Sequence, residues 1–201
     1  MPRQADPAAG EPNPDAEDVR LMTLVAGGDM AAFEQIVERH QSLVAGTIGH
    51  MLGDNSDVED LAQQVFIRLW KSAKRYTPRA KFTTFLLTIT RNLVFNELRR
   101  RKRHGTVPLQ TEADGEEMQL KDEQGSTPAA SMLEHELQSA VESAISELPE
   151  TQRMALVLRR YQDLSYDEIA VVLKQSVPAV KSLLFRARTE LRERLRGYLG
   201  K

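Results

Sequence analysis

The sequence predicts an all-α protein built as two small helical domains joined by a flexible acidic linker. Three observations carry this. Apolar residues recur at three- and four-residue spacing through residues 18–103 and 131–197, and no segment shows the alternation of a strand. Between these blocks, residues 104–130 hold Gly105, Pro108, Gly115, Gly125 and Pro128 with many acids and almost no apolar pattern. A length of 201 residues suits two small domains.

The elements follow in order. Residues 1–17 carry Pro2, Pro7, Pro12 and Pro14 with few large apolar residues and read as a disordered tail. Gly27-Gly28-Asp29 separates a first helix from a second, and residues 54–57 separate the second from a third. Those acidic residues lack the glycine and terminal glutamate of a calcium loop. Ser56 with Glu59 instead has the spacing of a capping box opening the third helix. On that helix Val58, Leu61, Ala62, Val65, Phe66 and Leu69 share an apolar arc, while Asp60, Gln63, Gln64, Ile67 and Lys71 face away. An isoleucine on a polar face suits a protein contact, although most such faces are merely solvated.

Residues 74–84 place four cations, Tyr76, Phe82 and small hydroxyl residues in and beside a loop. Cations hold phosphates and aromatic rings stack on unpaired bases, although Phe82 could equally tuck into the core. A long helix is expected from Phe85 to Arg103, with Thr84, Thr88, Arg91, Asn92, Phe95, Arg99 and Lys102 along one side. After the linker, Leu133, Leu137, Ala140, Val141, Ala144, Ile145 and Leu148 make one helical face, and Pro149 opens another helix through Arg160.

The last segment is the most specific. Ser165 and Glu168 form a capping box, and Tyr166, Ile169, Ala170 and Leu173 follow on one face. Lys174-Gln175-Ser176 makes a break, Ser176 can cap the next helix, and Pro178 is tolerated in a first turn. Val177, Val180, Leu184, Ala187, Leu191, Leu195 and Tyr198 then make an apolar stripe, with Lys181, Ser182, Phe185 and Arg186 off it. This is a helix-turn-helix pattern, which sets its second helix in the major groove of DNA.

Charge distribution agrees. The net charge is -2, but residues 91–103 hold six bases and one acid, residues 104–147 ten acids and one base, and residues 151–201 eleven bases and five acids. Two basic regions split by an acidic spacer fit a bipartite nucleic-acid binder. There are no cysteines, no apolar run long enough to span a bilayer and no signal-peptide core, which points to the cytoplasm. His40, His50, His104 and His135 have no metal-ligand spacing, and no phosphate-binding glycine loop appears. No enzyme, cofactor or metal site is therefore expected.

Together these segments resemble bacterial sigma factors of the sigma-70 family. Asp60-Leu61-Ala62-Gln63-Gln64-Val65-Phe66-Ile67-Arg68-Leu69-Trp70 resembles the region 2 helix. Phe82-Thr83-Thr84-Phe85-Leu86, continuing to Thr90-Arg91-Asn92, is similar to the promoter-opening segment. Residues 147–153 and 164–170 are similar to region 4. The short two-domain form resembles the extracytoplasmic-function branch. It departs from the family pattern in Phe85 for a usual Trp, Gln64 for a usual Glu, Asn96 near a commonly acidic position, and Pro178 for a small residue.

The resemblance implies domains at residues 18–103 (region 2) and 131–201 (region 4). It implies that core RNA polymerase is bound through Asp60, Gln63, Gln64, Ile67 and Lys71. The melted -10 strand of the promoter would be taken by Arg75, Tyr76, Arg79, Lys81, Phe82, Thr84, Arg91 and Asn92. The duplex -35 element would be read by Lys181, Ser182, Phe185 and Arg186. Many members are held by an anti-sigma factor that clamps both domains, and a tethered pair of domains leaves room for such a partner. By analogy the acidic linker would thread toward the RNA exit path. The residues themselves leave two alternatives open: a stand-alone helix-turn-helix regulator, and a helical adaptor whose basic faces only solubilise it.

Overall fold

The computed structural model describes residues 14–54, 56–103, 105 and 128–199. Residues 1–13 and 106–127, where most of the tail and linker were expected, lie outside the described residues. The described chain is helical, with no strand among the described residues. Its helices are α1 (Pro14–Ala26), α2 (Met30–Leu52), α3 (Val58–Ser72), α4 (Phe82–Arg103), α5 (Pro128–Ser146), α6 (Glu150–Arg160), α7 (Tyr166–Leu173), α8 (Val177–Arg194) and α9 (Arg196–Leu199). A 3-10 turn, Ala73–Arg75, follows α3.

Local chemistry explains most boundaries. Gly28 takes φ +95°, which turns the chain after α1, and the Asp29 carboxylate then caps α2 by accepting from the Ala32 amide at 3.0 Å. Gly53, at φ +74°, ends α2 in the left-handed conformation that favours glycine. Helix α7 opens on the expected capping box: the Glu168 amide donates to Ser165 Oγ, and the Ser165 amide donates to Glu168 Oε2 at 2.7 Å. Ser176 caps α8 by accepting from the Ala179 amide, and Pro178 sits in the first turn.

Three boundaries differ from the sequence expectation. Helix α1 starts at Pro14, inside the expected tail, because Asp15 accepts a hydrogen bond from the Phe82 amide at 2.7 Å and Leu21, Met22 and Val25 behind it are buried. Helix α4 starts at Phe82 rather than Phe85. Helix α5 starts at Pro128, inside the expected linker, and Leu137 on it is exposed while Ala144, Ile145 and Leu148 are buried.

The expected capping box at Ser56 does not form. Ser56 Oγ donates to Asp54 at 2.7 Å, and the residue before α3 is Asp57, which makes no side-chain cap. The competing partner is Arg101, whose guanidinium reaches Asp54 at 2.5 Å, Asp57 at 2.6 Å and Glu97 at 3.1 Å. Burial works against that charge, but the three carboxylates outweigh it and hold the Arg101 pKa above its ordinary value. The α2–α3 turn is thus stapled to α4 by a network rather than by its own cap.

The two halves pack on each other. One buried apolar cluster includes Ile36, Leu69 and Leu86 from the first half and Met154, Ile169 and Leu184 from the second. Burying a side chain of that size stabilises by roughly 1.5–3 kcal/mol. Helix α7 lies on α4, and α6 lies on α2. Arg153 of α6 is buried and donates to the Met51 carbonyl at 2.6 Å and the Leu148 carbonyl at 3.1 Å, with a further bond to the Ser146 carbonyl. His50 stacks on Tyr161 with ring centroids 3.7 Å apart. Lys102 pairs with Glu150 at 2.6 Å.

Candidate nucleic-acid interface

The clearest candidate is the outer face of α8. The capped break between α7 and α8 fixes the second helix, and Val180, Leu184 and Ala187 bury its inner stripe. Lys181, Ser182, Phe185 and Arg186 therefore all point outward. Phe185 is 72% exposed, which is unusual for a phenylalanine on a folded helix. Ser182 Oγ donates back to the Pro178 carbonyl at 3.1 Å. No ion pair holds Lys181 or Arg186 among the described residues, so their donors remain available. A free guanidinium beside an exposed ring on a rigid helix can meet a base edge and a thymine methyl in a major groove. Arg188 is also exposed and extends the basic face, and its place inside the basic C-terminal run was the only sequence signal for it.

A second exposed row runs along α3. Asp60, Gln63, Gln64, Ile67 and Lys71 are all exposed, with Ile67 at 51%. Beside Asp60 and Gln64 a groove of about 510 Å³ opens toward α4; Arg68 of α3 and Asn96, Arg100 and Arg103 of α4 line it. The sequence reading did not connect these α4 residues with α3, because nothing local says that the two helices are neighbours.

The third set divides. Arg75 and Arg79 are exposed in the turn and loop between α3 and α4. Asn92 is partly buried on α4. Phe82 is fully buried and packs at 5.0 Å from the His40 ring, so it cannot stack on a base where it stands. Thr84 is also buried. Tyr76 is partly buried between Phe82 and Phe85, and its hydroxyl lies inside the fold. Phe82 and Thr84 at the head of α4 thus fill the core, the alternative the sequence leaves open for Phe82, and Tyr76 packs beside them.

Lys81 and Arg91 are engaged by the second half. Lys81 Nζ meets Glu168 at 2.8 Å. Arg91 donates from Nε and Nη2 to the Val172 carbonyl at 3.0 and 2.9 Å, and its guanidinium lies 5.6 Å from the Phe95 ring centroid. Burial lowers the Arg91 pKa, though a guanidinium stays charged.

Comparison with known sequences identifies the family to which this two-domain helical chain belongs. Residues 36–104 match the model of sigma-70 region 2, and residues 138–191 match that of sigma-70 region 4. The chain is 33% identical over 187 residues to the RNA polymerase sigma-H factor of Pseudomonas aeruginosa, covering 91% of this chain and 96% of that one. It is 34% identical over 176 residues to the ECF RNA polymerase sigma-E factor of Escherichia coli K12, covering 85% and 90%. The fold is similar to that of the sigma factor RpoE of Bartonella quintana, solved in complex with the anti-sigma factor NepR. The TM-score is 0.62 at 21% identity, covering 82% of this chain and 96% of that one. The chain belongs to the extracytoplasmic-function branch of the sigma-70 family. Of the alternatives left open by its residues, it is therefore a promoter-directing sigma factor and not a stand-alone regulator.

Proposed function

We propose that this sigma factor works in the cytoplasm by binding alone, with three faces dividing the labour. The row Asp60, Gln63, Gln64, Ile67 and Lys71 docks on core RNA polymerase. Arg75, Arg79, Lys81, Arg91 and Asn92 hold the melted -10 strand, with Tyr76, Phe82 and Thr84 supporting them from the core. Lys181, Ser182, Phe185 and Arg186 read the -35 duplex. Region 2 is taken as the first half and region 4 as the second.

The observation that carries this reading is the outer face of α8, where Phe185 and Arg186 stand exposed on a helix fixed by two formed caps. A helix already fixed by its caps and its buried stripe needs no backbone ordering on binding, which favours base readout by the side chains it presents. Opening the duplex costs a few kcal/mol per unstacked step, and a basic surface tracking the backbone supplies part of it without catalysis. An anti-sigma partner is also proposed, since a factor built from two separable halves offers a clamp both of them. Titration of labelled protein with core polymerase tests the docking face: saturable binding that weakens in Gln63→Ala and Ile67→Ala supports it, and unchanged binding in both removes it.

A further inference from the structure

We propose that Asp15, in the first turn of α1, is a positioning residue for the loop that takes the melted -10 strand; this deepens the functional reading above and rests on it. The loop, residues 76–81, follows Arg75 and carries Arg79 and Lys81. No residue of α1 belongs to any of the three faces assigned to polymerase or promoter. Yet Asp15 accepts a hydrogen bond from the Phe82 amide at 2.7 Å, where the loop ends and α4 begins.

Helix α4 needs that bond because its own cap position cannot supply one. Lys81 stands there, with its carbonyl accepting from the Phe85 amide at 3.2 Å. A lysine side chain offers only donors, so the first amides of the helix gain no partner from it. Its ammonium turns to Glu168 at 2.8 Å. Asp15 brings the missing acceptor from another helix, and its negative charge suits the positive end of the α4 dipole. The last residue of the loop is thereby fixed.

A second set of contacts holds the same point and the other end of the loop. Asp18, on the next turn of α1, is buried, with its carboxylate 3.1 Å from His40 Nε2 and 3.0 Å from Arg39 Nε. The His40 ring lies 5.0 Å from the Phe82 ring. Phe82 is thus held by its amide from Asp15 and by its ring through His40. At the start of the loop Tyr76 donates its amide to the Ala73 carbonyl at 3.0 Å and packs its ring beside Phe82 and Phe85. Helix α1 lies against the 3-10 turn Ala73–Arg75 that leads into it. One helix therefore braces both ends of the loop and leaves Arg75 and Arg79 exposed. A loop with fixed ends gives up less backbone freedom when a strand binds, which favours capture.

The test uses holoenzyme assembled from core polymerase and the full chain. Its probe is a labelled single-stranded oligonucleotide with the non-template -10 sequence of a promoter that wild-type holoenzyme opens. Asp15→Ala should weaken binding of this strand at least fivefold, while its affinity for core polymerase stays within twofold of wild type. Charge alone predicts the opposite sign, because removing an acid beside a phosphate-binding surface should tighten the strand. Asp15→Asn keeps an oxygen that can accept from the Phe82 amide, and it should bind the strand within twofold of wild type or tighter. Three results would each overturn the proposal: wild-type strand affinity in Asp15→Ala, an equal loss of core binding, or an Asp15→Asn protein as weak as Asp15→Ala. If circular dichroism shows Asp15→Ala to be unfolded, Asp15→Glu takes its place. It keeps the charge but displaces the carboxylate by one methylene, so the same loss is expected, and unchanged strand binding would overturn the proposal. A wild-type holoenzyme that binds this strand no better than a scrambled one would remove the functional reading itself, and the proposal with it.

Discussion

Arg153 of α6 donates to the Met51 carbonyl at the end of α2 across 2.6 Å, joining residues 102 positions apart in the chain. The same guanidinium also takes the Leu148 and Ser146 carbonyls around the α5–α6 turn. A buried charge is retained here because carbonyls at the ends of two helices need donors and the arginine supplies several from one centre. Desolvation lowers its pKa, against a smaller opposing effect of Glu150.

Replacing Arg153 with Met should therefore destabilise the full chain by about 3 kcal/mol, through carbonyls left buried without donors. Urea denaturation followed by circular dichroism measures it. A loss below about 0.5 kcal/mol would mean that water replaces the guanidinium.

Phe82 and Arg75 were expected to act together on DNA, but they occupy different environments. Phe82→Ala should cost about 3–5 kcal/mol of stability, as expected for a large side chain removed from a core. Arg75→Ala should leave the denaturation midpoint unchanged and weaken binding of a -10 single strand. A stable Phe82→Ala protein with a selective defect in strand binding would show that the ring leaves the core during promoter opening.

The carboxylates gathered around Arg101 make the fold sensitive to acid. The Arg100 hydrogen bond, with Arg101 beside it, lowers the Glu97 pKa against the opposing effect of burial. For Asp54 burial pushes upward, and Arg101 and Ser56 more than offset it. Both folded pKa values thus lie below the ordinary ones, 4.5 for Glu97 and 3.8 for Asp54. Their stabilisation is complete above those ordinary values and is lost as pH falls through the folded ones. Denaturation midpoints should fall between pH 5 and pH 3, and Glu97→Gln should flatten that slope while lowering stability at pH 7. A steeper slope in Glu97→Gln would contradict the assignment.

Arg186→Ala should leave stability unchanged and reduce discrimination at the -35 element by about 1–3 kcal/mol. Competition between the native promoter and one altered only at -35 reads this out. Equal loss on both templates would reassign Arg186 to the phosphate backbone.

What the sequence makes legible is local. Ser165 and Glu168 are three residues apart, so their capping box can be read directly, and the helix-turn-helix followed from it. Ser56 and Glu59 show the same spacing, yet Arg101 takes Asp54 and Asp57 from 44 or more residues away and no box forms. The start of α4 at Phe82 was hidden for a related reason. The Asp15 bond to the Phe82 amide starts α4 early, and no local pattern announces a partner 67 residues upstream. The exposed rows on α3 and α8 were visible because helical spacing separates inner from outer faces. The pairing of Arg91 with Val172 was not, since 81 residues lie between them and neither residue type is unusual where it stands.

The most direct test of the account is transcription in vitro with core RNA polymerase and this protein on a genomic DNA library, with start sites mapped. The account predicts starts absent from core alone, sharing sequence elements near -35 and -10, with the -35 preference altered by Arg186→Ala. A set of starts indistinguishable from core alone would contradict it.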